Sequence, residues 1–329
     1  MRLHPLHVPA IALVGTACAL VYGCAPAAGD GWPDRPGPKV VASFAPIECF
    51  ALNVAGDDAV VRQLMTSQGP HEFVPGPADA RMLSKADLFF INGLTLDDAK
   101  CNPMARMSGN RKLKLVNLGA KLPDDLLEIG GGDCCKTEPA HGHEGHAHEH
   151  GTHDPHIWMG LPQTEKMVEG IRDELKGVDP AHAADYDRRA AEYTGKLRAL
   201  KAEGDALLKD KKERKFVTFH ESLGYFADTY NLTIAGVIED VPGAEPTPKQ
   251  RDELVKACVK DKVRVIAVEP QYSKAAAQQI VRELEKHGVK DPQIVRIDPM
   301  ETATADEITP GWYEDRMREN LKALAAALR

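Results

Sequence analysis

Histidine is the residue type that stands out for its chemistry in this 329-residue chain, which has thirteen of them. Seven fall within residues 141–156: His141, His143, His146, His148, His150, His153 and His156, separated by Gly, Glu, Ala, Thr, Asp and Pro. Neutral imidazole is the commonest side-chain ligand for zinc and related transition ions. The stretch carries no apolar side chain larger than Ala, so it has nothing to bury and reads as a solvated insert. Its glycines let it wrap an ion in many ways. Weak, multiple, exchangeable metal binding through His141, His143, His146, His148, His150 and His153 is the expectation.

The remaining histidines gain meaning from the elements that position them. Short branched runs alternate with helical patterns. Residues 39–44, 87–91 and 115–118 read as strands, with a weaker one at 59–65. A second set occupies 216–219, 232–238, 263–268 and 293–297. Strands that are apolar throughout and separated by helices predict α/β lobes, each with a parallel sheet covered on both faces. Ligands of such sheets bind beyond the carboxyl ends of the strands. His220, Glu269 and Asp298 each directly follow a strand of the second set, and so share one crevice edge. In the first lobe His71 follows the weaker strand through Gly69-Pro70, and His156 ends the His-rich stretch within Asp154-Pro-His-Ile-Trp-Met159. Three neutral imidazoles and one carboxylate form a closed tetrahedral set suited to zinc.

Between the two sets lies a long helical pattern. Tyr186, Ala190, Tyr193, Leu197, Leu200, Gly204 and Leu207 recur at steps of three and four, one continuous apolar stripe. Asp179 can cap it, with Pro180 at the first helical position. From 180 to 209 it would run about 45 Å at 1.5 Å per residue, enough to brace two lobes. The expected organisation is a segment 1–23 removed on export, a tether 24–38, a lobe over 39–161 containing the His-rich loop 141–153, connecting helices over 162–212 with a rigid strut at 180–209, and a second lobe over 213–329.

The leader reading rests on Arg2 as the one formal charge before Asp30, an apolar stretch at 8–22, and small residues at its end. Val21-Tyr22-Gly23-Cys24 resembles a bacterial lipobox, which would place a lipid anchor on Cys24; cleavage near Ala25-Pro26-Ala27 is the alternative. The other cysteines of the exported chain are Cys49, Cys101, Cys134, Cys135 and Cys258, an odd number, with Cys49–Cys101 the preferred bridge. The net charge of −8 argues against nucleic acid as partner, and beyond the leader no apolar run approaches the roughly 20 residues of a spanning helix.

Several motifs together carry a family resemblance. They are Gly69-Pro-His-Glu-Phe-Val-Pro-Gly-Pro-Ala-Asp-Ala-Arg81, Ala86-Asp-Leu-Phe-Phe-Ile-Asn-Gly-Leu94, Asp154-Pro-His-Ile-Trp-Met159 and Asp179-Pro-Ala. Phe219-His-Glu-Ser-Leu-Gly-Tyr-Phe226, Ala244-Glu-Pro-Thr-Pro248 and Val268-Glu-Pro-Gln-Tyr272 follow in order. Over residues 39–329 the chain is similar to the zinc/manganese solute-binding proteins (cluster A-I) of bacterial ABC importers, zinc-uptake type. The resemblance implies two four-stranded lobes, a rigid connecting helix and metal in the cleft between lobes. It implies that His71, His156, His220 and Asp298 ligate the metal; Glu269, a carboxylate at a strand end near the cleft, reads as orienting a ligand or loop, with a substitute ligand role as the alternative. It further implies a non-enzymatic, monomeric protein outside the cytoplasmic membrane that hands Zn²⁺ to an ABC permease. A zinc buffer without a permease and a manganese-binding member are the alternatives. A third imidazole, where manganese-type members commonly carry Glu, favours zinc over manganese. Cys134-Cys135 ahead of the loop departs from the family pattern.

Overall fold

The computed structural model describes residues 32–128, 153–239 and 246–329. The leader 1–23, Cys24 and most of the tether, Cys134-Cys135 and His141 through His150 lie outside the described residues.

Eight strands form two sheets. The first holds β1 (Lys39–Ala42), β2 (Val60–Gln63), β3 (Leu88–Ile91) and β4 (Lys114–Asn117) in the order β2-β1-β3-β4. The second holds β5 (Lys215–Thr218), β6 (Thr233–Val237), β7 (Val265–Val268) and β8 (Gln293–Arg296) in the order β6-β5-β7-β8. Every pairing is parallel. The central strands are the most apolar: all four residues of β3 and of β7 are buried, as helices on both faces require. Both sheets have the same order, so each switches direction between its first and third strands. That point is where a crevice opens at the carboxyl ends.

The first lobe carries α1 (Ala45–Ala55), α2 (Pro77–Leu83) and α3 (Asp98–Met107). Then α4 (Leu161–Val178) and α5 (Ala183–Leu208) run between the sheets, and α6 (Gly224–Thr229), α7 (Pro248–Asp261), α8 (Ala275–Lys286) and α9 (Trp312–Ala327) complete the second lobe. Residues 180–182 form a 3₁₀ turn that leads into α5, so the α-helix proper starts later than the sequence pattern suggests. Pro180 begins this turn, and the Asp179 carboxylate accepts from His182 Nδ1 and the Tyr186 hydroxyl.

The stripe on α5 buries Tyr186, Ala190, Tyr193, Leu197, Leu200 and Gly204 as the spacing implies; Leu208 is buried at its end, and Leu207 only partly. Gly204 is there for close approach, since a Cβ would lie 2.4 Å from Tyr230 Cε1. One continuous core joins β1, β3, α1, α4 and α5 to α6, α9, Phe216 and Ile297 of the second lobe. A separate cluster, with Val217, Ile266, Cys258 and Ile280, fills the outer side of the second sheet. The lobes are therefore packed on a shared centre rather than hung on a linker.

Cys49, Cys101 and Cys258 are buried and unpaired, so the bridge expected between Cys49 and Cys101 is not formed. Cys49 Sγ instead faces the Tyr193 hydroxyl and the Thr309 carbonyl, and burial pushes its thiol up to about 12. Among the described residues no helix is long and apolar enough to cross a membrane.

Candidate metal centre

Three imidazoles and one carboxylate converge between the lobes. They are His71, His156, His220 and Glu301, with one ligand atom from each lying within 4.8 Å of the others. His71 Nε2 and His156 Nε2 are 3.4 Å apart. Glu301 Oε1 lies 3.6 Å from His71 Nε2, 3.8 Å from His156 Nε2 and 3.3 Å from His220 Nε2. A zinc ion about 2.0–2.1 Å from four tetrahedral ligands sets those ligands about 3.3 Å apart. The spacings run from that value to 3.8 Å, within a set spread over 4.8 Å, so the side chains would draw in to complete the shell.

Each group is held by different means. His71 sits in the loop after β2; Lys100 of α3 donates to its carbonyl at 2.6 Å and to that of Pro70 at 2.7 Å, and buried Phe73 anchors the loop. His156 has its ring Nδ1 on Asp154 Oδ1 at 2.7 Å, with its backbone N–H on the same oxygen. The turn carrying it is fixed by Asn92 Nδ2 donating to the Pro155 carbonyl and by the Tyr225 hydroxyl donating to the Asp154 carbonyl. His220 follows β5, and its Nδ1 bonds Glu269 Oε1 at the end of the neighbouring strand β7. A carboxylate on Nδ1 keeps the proton there and aims the Nε2 lone pair at the shared point, the usual arrangement behind a metal-ligating histidine.

Glu301 reaches the site by a tight reversal after β8. Asp298 Oδ1 accepts from Met300 N at 2.8 Å, and Met300 takes φ 62°, a left-handed conformation uncommon for a side chain of this kind. Its cost, on the order of 1 kcal/mol, is offset locally. Trp158 Nε1 donates to the Pro299 carbonyl, Gln63 Nε2 to the Ala303 carbonyl, and Asn53 Nδ2 to the Pro310 carbonyl. A strap from the second lobe is thus pinned to the first, and it carries Glu301 with it.

Of the residues read from sequence, the structure brings together His71, His156 and His220 and places Glu269 behind His220. Asp298 stays outside the group, its carboxylate spent on the turn and its backbone N–H on Asn320 Oδ1. His153 is partly exposed at the re-entry of the His-rich stretch, two residues before Pro155.

The electrostatics suit a cation. His220 and Glu301 are fully or almost fully buried, and His220 Nε2 and Glu301 Oε1 have no well-formed hydrogen bond. Such orphans are costly unless an ion satisfies them. Burial would push His220 down, yet the carboxylates of Glu269 and Glu301 outweigh this and hold it well above its ordinary range. Burial would raise Glu301; the imidazoles of His220 and His71 override it and hold the carboxylate well below the usual range. An imidazolium–carboxylate pair is the proton-loaded counterpart of a metal-loaded site.

Two parallel-sheet lobes with three imidazoles and one carboxylate gathered between them form a site able to hold a metal ion. Residues 40–327 match the family model "Zinc-uptake complex component A periplasmic", and the chain belongs to that family. It is 31% identical over 288 residues to the zinc-binding lipoprotein AdcA of Streptococcus pneumoniae, covering 87% of this chain and 55% of that one. It thus spans about half the length of that relative. It is 28% identical over 323 residues to the high-affinity zinc uptake system protein ZnuA of Bacillus subtilis, covering 96% of both. Among solved structures it resembles the solute-binding protein FpvC of Pseudomonas aeruginosa in complex with Mn²⁺ (TM-score 0.75, 25% identity, 89% of this chain and 99% of that one). It also resembles a Zn(II)-bound mutant variant of AdcAII of Streptococcus pneumoniae (TM-score 0.72, 25% identity, 89% and 99%).

Proposed function

We propose that the chain captures Zn²⁺ outside the cytoplasmic membrane, holds it with His71, His156, His220 and Glu301, and delivers it to an ABC-type permease. The observation that carries this reading is the convergence of three imidazoles and one carboxylate, with one ligand atom from each within 4.8 Å of the others and two imidazoles backed by carboxylates. Three nitrogens and one oxygen suit zinc better than manganese, which prefers oxygen. Four protein ligands leave no open coordination position for an activated water, so capture fits the site better than hydrolysis. The His-rich stretch 141–153 would collect ions and pass them to the cleft, raising their local concentration. A lipid on Cys24 would keep a monomeric protein at the membrane surface.

The test uses the chain with 141–153 deleted. Isothermal titration should find one tight zinc per chain, and His220→Ala should lose at least about 100-fold in affinity. Undiminished binding by that variant would overturn the cleft assignment. Delivery is tested by complementing zinc-starved growth in cells that have the permease and in cells that lack it; rescue independent of the permease would favour a buffer role.

A further inference from the structure

An ion in the cleft would sit among four nearly buried side chains that must also let it go. The mouth lies beside His71, whose side chain is 10% exposed while those of His156 and His220 are at 0% and Glu301 at 2%. Glu72, the next residue, is exposed and belongs to the first lobe. From the turn after β7 in the second lobe, the Tyr272 hydroxyl reaches across and donates to Glu72 Oε1 at 3.3 Å. The Tyr272 ring is stacked on Phe219, 4.9 Å between centroids and 11° between planes, and meets the His220 ring at 6.5 Å. The other Glu72 oxygen lies against Gly69, where a Cβ would be 3.1 Å from it and 3.4 Å from Glu301 Oε2.

The same turn does a second job. Glu269 orients His220 through Oε1 and accepts from Gln271 Nε2 through Oε2 at 2.8 Å, while the Tyr272 N–H returns to the Glu269 carbonyl. A movement that carries Tyr272 off Glu72 therefore also loosens the partner that aims His220.

We propose, on the footing that the cleft holds zinc, that Tyr272 and Glu72 form a latch across its mouth that sets how fast the ion leaves, without either residue ligating it. Opening the latch uncovers His71 and slackens His220 in one motion.

The experiment compares the 141–153-deleted chain with its Tyr272→Phe variant, which keeps the stacked ring and loses the hydroxyl. Zinc release into excess chromophoric chelator is followed by stopped flow. The latch predicts one zinc per chain in both and release about three- to tenfold faster in Tyr272→Phe. Glu72→Ala should accelerate release similarly, and the double variant should be no faster than the faster single one. Hydrogen exchange of the metal-free proteins supplies a readout independent of zinc: the amides of Phe73 and Tyr272, on opposite lobes, should both exchange faster in Tyr272→Phe. Release rates within about 1.5-fold of the parent, or additive single effects, would overturn the latch. Should the parent bind no zinc in the cleft, the capture reading fails by itself; faster exchange on both lobes would then still support the latch, and unchanged exchange would sink it.

Discussion

Asp298 and Glu301 are three residues apart, and only one of them faces the imidazoles. Strand-end position favours Asp298 in the sequence, because side chains just past parallel strands line the crevice. Asp before Pro is, however, also a turn signal, the carboxylate bonding the backbone two residues on, as Asp298 does with Met300. That signal could have pointed further along the chain to Glu301. Glu301→Ala should therefore weaken zinc binding by at least about 100-fold, while Asp298→Asn, which keeps the acceptor for Met300, should change it by no more than a few-fold; competition titrations measure both. The raised His220 has a further consequence. The metal-free site holds a proton at pH values where a free imidazole has lost it, and zinc must displace that proton, so affinity falls as pH drops. Titration at pH 7 in buffers of different ionisation enthalpy should show about one proton released per zinc; zero release would contradict this. Glu48, buried on α1 with Oε2 unpartnered, is pushed up to about 7 by burial. The unfolded chain gives up this proton near 4.5 and the folded chain near 7, so the carboxylate subtracts stability as pH rises through that window. Glu48→Gln should gain up to about 3 kcal/mol in denaturant melts at about pH 8 and little at about pH 4.5.

Among the elements, those that bury themselves on both faces were the legible ones. β3 and β7 are all-apolar runs, and the α5 stripe follows from spacing alone. The strap after β8 was not legible, because nothing in its composition announces that Trp158, Gln63 and Asn53 from distant parts of the chain will hold its carbonyls. Long-range side-chain-to-backbone bonds have no local period to read. The cysteine pairing failed for a related reason: an oxidising compartment would favour bridging, but α1 and α3 bury Cys49 and Cys101 separately in the core. Gly204 shows packing overriding propensity. Alanine should favour an isolated helix by about 1 kcal/mol, yet here its Cβ would strike the Tyr230 ring. Gly204→Ala should lower stability by about 1–3 kcal/mol in chemical denaturation; a gain would show that the ring yields freely.

At the scale of the molecule, the two sheets share one core through α5 and α9, and the four candidate ligands come from both sides of it. Such a body cannot close like a hinge on a linker. On the proposed reading, capture would proceed by small shifts of the lobes and of the loops that carry His71, Tyr272 and Glu301. The two-lobe plan was readable, and so were His71 and His220, because strand ends and ligand chemistry coincide there; His156 was read from its motif, and Glu301, the carboxylate that faces the imidazoles, lies in a strap that only the assembled lobes define. The most direct measurement is anomalous diffraction at the zinc edge from crystals of the zinc-loaded chain lacking 141–153. One zinc peak is predicted, within about 2.0–2.2 Å of Nε2 of His71, His156 and His220 and of a Glu301 oxygen. A peak elsewhere, or one ligated by Asp298 in place of Glu301, would contradict it.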